Sequence, residues 1–355
     1  MQRQDGNRNP TPPAPREEGP AAFRSDRRGL LAGLAALGAT AVLPRILRAE
    51  AAAADGDLIG RMRALVTDAE TVLLDVARGH DLGIIELSAA NPGVDPWVPG
   101  EERLIVLPTQ HIFPDARRRG IVVNLAELRL YYFPREGPPE THAVGIGREG
   151  VETPRGTTEI VRKRKNPTWY PTAATRRENP GLPEVVPPGP DNPLGTRALY
   201  LGWPTYLIHG TSKPYGVGRR VSRGCIRLYP EQIEALYDKV PIGTPVTVLD
   251  QTIKAGWHEG ELYLEAHPDV DQLEELEATY RLTVKPPPPV HDYIREKAGE
   301  AADRVDWDFV DAELVARRGY PVRITRPAGA RRLALREPDP PVVVTRRGRS
   351  SFDLY

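Results

Sequence analysis

The amino-acid sequence predicts a mainly β protein, in which a β-sandwich domain follows a small βααβ module. Three observations support this fold class. Between residues 119 and 250, short apolar segments alternate with turns rich in glycine and proline, which is typical of a β-sandwich. The chain has 38 prolines in 355 residues, which favours strands, loops and linkers over a helical bundle. Before residue 109, two helical patterns lie between two strand patterns, and this order predicts the module.

The first 53 residues are expected to be an export segment. Residues 1–24 are polar and rich in proline, arginine and glycine, a composition typical of disorder. Arg27 and Arg28 then precede a modest apolar segment that ends at Leu43, and this arrangement resembles a twin-arginine signal. Small residues at 49–53 offer cleavage sites. The signal predicts a periplasmic or cell-envelope protein. An uncleaved anchor, or a helix of the fold, is the alternative interpretation.

Residues 62–108 are expected to form the βααβ module. A short strand is predicted near Glu70, followed by two short helices and a closing strand at 104–107. The second helix is expected to end at Asn91, where proline and glycine follow. This order, together with the segment A-A-N-P-G, resembles a LysM module, which implies binding to glycans that contain N-acetylglucosamine. A structural subdomain that binds no glycan is the alternative.

Residues 119–250 carry the pattern of the β-sandwich. Strands are predicted from segments such as I-V-V-N-L, R-L-Y-Y-F and A-L-Y-L-G-W-P-T-Y-L-I-H. The long segment 166–196 is predicted to be an ordered flap over a site, because Trp169 and Tyr170 can anchor it. One helix is predicted after Tyr229, with these apolar residues spaced to face the core: Ile233, Leu236, Tyr237 and Val240.

Two further regions follow the β-sandwich. Residues 251–285 are predicted to form a small extension of one strand and one helix. Consecutive prolines at 286–289 then separate it from a tail, residues 286–355, that is rich in proline and arginine. The tail is expected to contain one helix, near 308–318, and the sequence indicates no role for it.

Charge and cysteine content exclude several classes of function. The 48 basic and 48 acidic residues cancel, so nothing favours nucleic-acid binding. The single cysteine excludes an internal disulfide and argues against a cysteine-based zinc site. His258 and His267 lack a third ligand at metal-binding spacing and are interpreted as surface histidines. No metal and no cofactor are therefore expected.

The segment from Ile208 to Leu228 carries the residues best suited to catalysis. It contains Cys225, the only thiol, and His209, a base that can accept its proton. The patterns Y-L-I-H-G and S-R-G-C-I-R-L predict two strand ends that can bring these side chains together. The arginines of the segment are expected to favour the thiolate: Arg219, Arg220, Arg223 and Arg227. A buried structural cysteine and a hydrogen-bonded structural histidine are the alternatives.

The order H-G-T, a glycine-rich spacer and S-R-G-C-I-R-L resembles the signature of L,D-transpeptidases with a YkuD-type catalytic domain. The resemblance extends over residues 119–250, including the segments G-I-G-R-E-G-V-E-T-P-R-G-T-T and G-T-P-V-T-V-L. Many members of the family have histidine at the position of Arg223. Because arginine stays protonated, a role that needs a neutral imidazole there is not predicted.

The resemblance implies a cysteine acyl-enzyme mechanism on the tetrapeptide stems of peptidoglycan. Cys225 would be the nucleophile, His209 the general base and acid, and the backbone N–H groups of Gly224 and Cys225 the oxyanion hole. D-Alanine leaves, and an acceptor amine resolves the thioester. The candidates for substrate binding or site lining are Arg227, Ser222, Arg223, Gly210, Thr211 and Tyr206. Ser222 could instead hold the turn, and Arg227 could instead form a structural salt bridge.

The sequence leaves the acceptor open. A second stem peptide would give a 3→3 cross-link, the lysine of an envelope protein would give protein anchoring, and water would make the enzyme an L,D-carboxypeptidase. A non-catalytic wall protein that binds peptidoglycan through the LysM-like module is an alternative from a different class. The presence of both His209 and Cys225 argues against that alternative.

Overall fold

The structure, a computed structural model, describes residues 56–326 and the backbone of Val343–Thr345. The predicted export segment lies outside the described residues, and so does most of the chain after residue 326. Within the described part, no helix is both long and apolar enough to cross a lipid bilayer.

The N-terminal part of the described chain contains the predicted βααβ order. Its elements are β1 (Leu58–Gly60), β2 (Arg63–Val66), α1 (Leu73–Gly79), α2 (Ile84–Ala90), β3 (Leu104–Leu107) and β4 (Gln110–Ile112). Strands β2 and β3 pair antiparallel. The prediction of a strand near Glu70 is wrong, because β2 ends at Val66. Glu70 lies in the turn before α1, where the hydroxyl of Thr71 donates to Asp68 at 2.6 Å.

The central part consists mostly of strands. Its elements are β5 (Gly120–Asn124), β6 (Arg129–Phe133), β7 (Glu140–Ala143), β8 (Ile146–Gly147), β9 (Gly156–Lys165), α3 (Ala173–Glu178), β10 (Arg197–Leu201), β11 (Leu207–His209), β12 (Arg220–Ser222), β13 (Ile226–Arg227), α4 (Pro230–Lys239) and β14 (Pro245–Leu249). The helix predicted after Tyr229 is α4, and Ile233 and Leu236 on it are buried as expected. The prediction of a mainly β domain is confirmed.

Within the described residues, eight of these strands form one sheet, in the order β13-β11-β10-β9-β14-β5-β6-β7. Strand β9 connects the two halves of this sheet. Residues 156–159 pair with β14, whereas residues 160–165 pair with β10. The remaining strands, β8 and β12, form a separate parallel pair. One long strand therefore belongs to both halves of the sheet.

The strands β5 and β6 are covered on both faces. Ile121 and Val123 pack in the main hydrophobic core, whereas Val122 and Tyr131 pack in a second cluster with Phe113. Successive side chains of a strand point to opposite faces, so a strand buried on both faces needs a continuous apolar segment. This requirement explains why the sequence of β5 has no alternation of polar and apolar residues.

The module shares the main core with the sheet. Residues on both sides of position 108 belong to that core: Leu65, Leu87 and Leu107 from the module, and Leu130, Ile208 and Leu236 from the central part. At the start of α2, a Cβ atom on Gly83 would lie only 2.8 Å from the Cα of Gly218. The module therefore packs directly on the loop that separates His209 from Cys225, and it is part of the same folded unit.

The C-terminal part of the described chain has its own small core. Its elements are β15 (Ile253–His258), β16 (Glu261–Ala266), α5 (Val270–Thr279), α6 (His291–Ala298), α7 (Trp307–Ala316), β17 (Val322–Arg323) and β18 (Val343–Thr345). The predicted helix near 308–318 is α7. The prediction of a single helix after residue 286 is wrong, because α6 precedes it. Ile294 and Ala298 of α6 are buried in the core that includes Leu264 of β16.

Candidate active site

The pairing of β11 with β13 brings the predicted catalytic residues to one cavity. These strands are parallel, with Ile208 opposite Ile226 and His209 opposite Arg227. Cys225 is the residue immediately before β13, two positions before Arg227. All three polar side chains, His209, Cys225 and Arg227, line one cavity of about 780 Å³.

The thiol of Cys225 is protonated in the free protein. It is partly buried and donates a hydrogen bond to the carbonyl oxygen of Thr205 at 3.6 Å. Burial raises its pKa above the usual value, and this effect outweighs the backbone N–H of Leu207 and the charge of Arg227, which both lower the pKa. The charge of Arg227 thus favours the thiolate, but it is too small to offset burial in the free protein.

His209 is a neutral base with a fixed tautomer. Its Nδ1 lies 2.5 Å from the carbonyl oxygen of Gly210. A carbonyl oxygen can only accept, so Nδ1 carries the hydrogen and Nε2 keeps its lone pair. Burial, together with the charge of Arg227, lowers the pKa of His209 to about 3. The free site therefore contains a neutral thiol and a neutral imidazole, and not a thiolate–imidazolium pair.

We expect alkylation of Cys225 by iodoacetamide to speed up with rising pH, with a midpoint above the usual thiol pKa of 9.0. Since the chain has one cysteine, the reaction reports on this thiol alone. Arg227→Gln should move the midpoint higher still, because it removes a charge that favours the thiolate. Arg219→Gln is the matched control and should not move it. Fast alkylation that persists unchanged below pH 6 would show an ion pair instead.

The turn before the thiol depends on Gly224 and Ser222. Gly224 has a φ of +96°, and a Cβ there would lie 2.6 Å from the ring of Tyr206, so only glycine fits. The hydroxyl of Ser222 accepts from the N–H of Gly224 at 3.1 Å and donates to the carbonyl oxygen of Cys225 at 2.6 Å. Ser222 lines the cavity, but its hydrogen bonds are those of a residue that holds the turn.

Thr153 supports the same turn and was not recognised from the sequence. Its hydroxyl donates to the carbonyl oxygen of Gly224 at 2.9 Å and accepts from the N–H of Gly147 at 3.0 Å. It is fully enclosed by the fold. Thr153 lies in the segment V-E-T-P-R-G-T-T, which resembles the L,D-transpeptidase pattern, so that resemblance could have indicated its role.

Thr205 has an unusual backbone conformation beside the thiol. Its φ is +72°, which a β-branched residue rarely adopts.

The four arginines of the segment have different partners. Arg227 and Arg223 line the cavity, and Arg223 pairs with Glu178 of α3. Arg219 pairs with Glu277 at 2.8 Å, and Arg220 faces a second cavity.

Three other residues that the sequence suggested for substrate binding do not form part of the cavity wall. Gly210 accepts the bond from His209, Thr211 accepts from the N–H of Lys213, and Tyr206 packs beneath Gly224.

The segment 166–196 forms the outer wall of the cavity. Trp169 pairs with Val186 across it, and the buried amide of Asn192 donates to the carbonyl oxygens of Pro167 and Pro187 at 2.9 and 3.0 Å. The segment is thus an ordered flap. Tyr170 is 67% exposed and is not one of its anchors, contrary to the prediction, because it projects at the mouth of the cavity.

Away from the cavity, buried carboxylates and histidines form a separate cluster, in which a lysine neutralises the charge of the carboxylates. His111, Glu127 and Glu265 are close enough together to hold a metal ion. The ammonium of Lys254, however, lies 2.6 Å from Glu127 and 2.9 Å from Glu265, so these carboxylates already have a cation between them. His267 bonds to Glu265 at 2.7 Å and is buried, so its interpretation as a surface histidine is wrong.

Comparisons with known proteins agree on one family. The model of the L,D-transpeptidase catalytic domain, YkuD, matches residues 118–248. A protein of Escherichia coli K12 named "Probable L,D-transpeptidase ErfK/SrfK" is 42% identical over 264 residues, which is 72% of this chain and 83% of the relative. A second protein from the same strain, "Probable L,D-transpeptidase YbiS", is 39% identical over 70% of this chain and 81% of its own length.

Similarity to solved structures is weaker. The crystal structure of L,D-transpeptidase 3 from Mycobacterium tuberculosis matches with a TM-score of 0.30 and 20% identity, over 41% of this chain and 67% of the other.

Proposed function

This chain is an L,D-transpeptidase, a member of a family that acts on peptidoglycan, and we propose that it forms a thioester on Cys225 with the tetrapeptide stem. The observation that best supports this mechanism is that Cys225, directly before β13, lines one cavity with His209 and Arg227, which lie opposite one another on β11 and β13. The unprotonated Nε2 of His209 gives the thiol a base, and the basic residues of the cavity suit a substrate that carries carboxylates.

In the first step, the sulfur of Cys225 attacks the carbonyl between diaminopimelate and the terminal D-alanine, while the thiol proton passes to Nε2 of His209. Because both groups start neutral, charge develops only as the C–S bond forms. The carbonyl re-forms, the C–N bond breaks, and the imidazolium protonates the amine of the departing D-alanine. An acceptor amine then attacks the thioester, gives its proton to His209, and the departing sulfur takes that proton up.

Backbone N–H groups at the turn are assigned to the oxyanion. Each such donor contributes roughly 3 kcal/mol to a transition state of this kind. The N–H of Gly224 already bonds to Ser222, so it would have to be shared, and the N–H of Cys225 is the other candidate. Arg227 is assigned to a carboxylate of the substrate, because no carboxylate within residues 56–326 lies at ion-pair distance from it.

Incubation of the purified protein with a disaccharide-tetrapeptide tests this function. Mass spectrometry should find free D-alanine and a disaccharide-tripeptide that is joined to an acceptor. A cross-linked dimer identifies a second stem as the acceptor, a peptide adduct identifies an envelope protein, and unlinked tripeptide identifies water. A tetrapeptide that stays intact under all conditions would refute the proposed donor.

The module is proposed to bind the glycan strand. An exposed apolar patch supports this role: Val66 and Leu104 lie opposite one another at the ends of β2 and β3, and Trp97 and Val98 lie in the loop between α2 and β3. The loop is held near Val66, because the hydroxyl of the adjacent Thr67 donates to the carbonyl oxygen of Gly100 in the loop at 2.6 Å. Exposed aromatic and aliphatic groups of this kind can stack on sugar rings.

Trp97→Ala should weaken binding to insoluble peptidoglycan by roughly tenfold, because a 57% exposed indole is removed from the patch. Turnover of a soluble disaccharide-tetrapeptide should stay near that of the unsubstituted protein. Pull-down with purified sacculi measures the first effect. Ile242→Ala, which shortens an exposed apolar side chain outside the module, is the control. Equal pull-down of all three proteins would exclude glycan binding through the patch.

We propose export to the periplasm through the twin-arginine route. Arg27 and Arg28 before the apolar segment support it, and peptidoglycan lies outside the cytoplasm. Normal periplasmic accumulation of a variant with lysine at both positions would indicate another route.

A further inference from the structure

A row of paired residues connects the candidate catalytic site to β9. His209 on β11 lies opposite Arg227 on β13 and, on its other side, opposite Ala198 on β10. Ala198 in turn lies opposite Arg164 on β9. Because residues directly opposite one another share a face of the sheet, Arg164 projects from the same face as His209 and Arg227. Arg164 also lines the same cavity.

A second row runs parallel to the first. Leu207 on β11 lies opposite Tyr200 on β10, and Tyr200 lies opposite Arg162 on β9. The guanidinium of Arg162 lies over the ring of Tyr200, with its central carbon 3.8 Å from the ring centre. Stacking of this kind orients the guanidinium plane and leaves the N–H groups at its edge available for a planar anion. Arg162 and Arg164 are therefore neighbours on one strand, at the far side of the cavity from Cys225.

The cavity wall is strongly basic. Its charged residues are Arg162, Arg164, Lys165, Arg223 and Arg227, and no aspartate or glutamate lines it within the described residues. Two of these five residues form ion pairs with carboxylates that do not line the cavity: Lys165 pairs with Asp238, and Arg223 pairs with Glu178. Across residues 56–326, Arg162 and Arg164 have no carboxylate at ion-pair distance. Two adjacent uncompensated guanidinium groups at a cavity wall suit an anionic ligand.

We propose that Arg162 and Arg164 form a subsite for a free carboxylate on the acidic residue that precedes diaminopimelate in the donor stem. Strands in a sheet are about 4.8 Å apart, so the backbone at Arg164 lies about 10 Å from that at His209 and about 14 Å from that at Arg227. A peptide residue spans about 3.5 Å when extended, and both arginines line the same cavity as Cys225. The subsite is therefore within reach of the residue next to the acylated one.

The subsite gives the enzyme a specificity that the catalytic residues do not. A carboxylate accepts two parallel N–H bonds from one guanidinium, whereas a carboxamide carries no charge and presents one acceptor and one donor. A donor whose acidic residue is free should therefore be preferred over one in which it is amidated. This inference rests on the proposed function, because it assumes that the donor is a peptidoglycan stem.

The test compares two tetrapeptide donors that differ only in that carboxylate, one free and one amidated. For the unsubstituted protein, kcat/KM for D-alanine release should be roughly tenfold higher with the free acid, the lower end of what one charged hydrogen-bonded pair provides. In Arg162→Gln with Arg164→Gln, the ratio of the two kcat/KM values should fall to about one. Arg117→Gln with Arg135→Gln removes the same charge at exposed positions outside the cavity and should keep the tenfold ratio.

The possible outcomes distinguish a failure of the proposed subsite from a failure of the proposed function. Equal kcat/KM values for the two donors in the unsubstituted protein would overturn the subsite while leaving the function intact. A preference for the free acid that survives the double substitution on β9 would also overturn it. No D-alanine release from either donor would overturn the function itself, and the subsite with it. A preference lost equally in the control variant would indicate a general effect of net charge, and not a subsite.

Discussion

Cys225→Ala should reduce D-alanine release by roughly 10⁴-fold or more, because the reaction loses the atom that forms the thioester. The thiol makes few contacts that matter for folding. It is partly buried, and its hydrogen bond to the carbonyl oxygen of Thr205 is long, at 3.6 Å. The fold of the variant should therefore be unchanged, and its thermal unfolding should coincide with that of the unsubstituted protein within a few degrees.

Cys225→Ser should be nearly as inactive. The neutral His209 has a pKa of about 3, so it is a weak base that can assist a thiol but is poorly matched to a hydroxyl group, which is far harder to ionise. Mass spectrometry after incubation with tetrapeptide should find a thioester adduct on the unsubstituted protein and none on either variant.

Arg219→Gln is the matched control for these variants. Arg219 belongs to the same motif, but it points away from the cavity and pairs with Glu277 in a half-exposed ion pair. Such pairs contribute about 1 kcal/mol or less, so activity and stability should both change little. D-Alanine release by Cys225→Ala at a rate close to that of this control would refute the assignment of the nucleophile.

Local patterns in the sequence were sufficient to predict the strands that position the candidate catalytic residues. Y-L-I-H-G and S-R-G-C-I-R-L correspond to β11 and to the turn that leads into β13, and the structure brings His209 and Cys225 to one cavity. Glycine at 224 has a φ that other residues rarely adopt, so the sequence indicates the turn as well. These features depend on side-chain alternation and backbone conformation, which are properties of short segments.

The charge state of the site could not be predicted in the same way. Four arginines near one cysteine suggested a thiolate, but burial determines the pKa of Cys225, and burial depends on the packing of distant segments. Two of those arginines, Arg219 and Arg220, point elsewhere. The row from Arg164 to Arg227 likewise depends on the pairing of four strands, which no short segment specifies.

Lys254 is another residue whose role the sequence could not indicate, because lysines are rarely fully buried. Its ammonium is enclosed between Glu127 of the loop before β6 and Glu265 of β16, and it donates to the carbonyl oxygen of Ile112 on β4 at 2.7 Å. These partners belong to the central part, the C-terminal part and the N-terminal part of the described chain. The pairing therefore joins all three described parts of the chain.

Lys254→Met should reduce the free energy of unfolding by about 3–5 kcal/mol, because it leaves two buried carboxylates without their cation. Methionine has a similar length, so the loss comes from charge and not from a cavity. Lys297→Met removes a half-exposed lysine that pairs with Asp115 and should cost about 1 kcal/mol or less. Urea denaturation, followed by circular dichroism, measures both losses.

The loss in Lys254→Met should shrink as the pH falls. In the unsubstituted protein the cation and its hydrogen-bonding neighbours overcome the cost of burial and hold the pKa of Glu265 well below its usual value. That depressed pKa contributes stability above the usual pKa, near 4.5, and the contribution is lost as the pH falls through the folded value. In the variant, burial without a cation raises the pKa of Glu265, so this carboxylate takes up a proton at higher pH and the penalty for burying its charge shrinks. A difference in stability that stays the same between pH 8 and pH 4.5 would show that the substitution acts through packing, and not through the unpaired carboxylates.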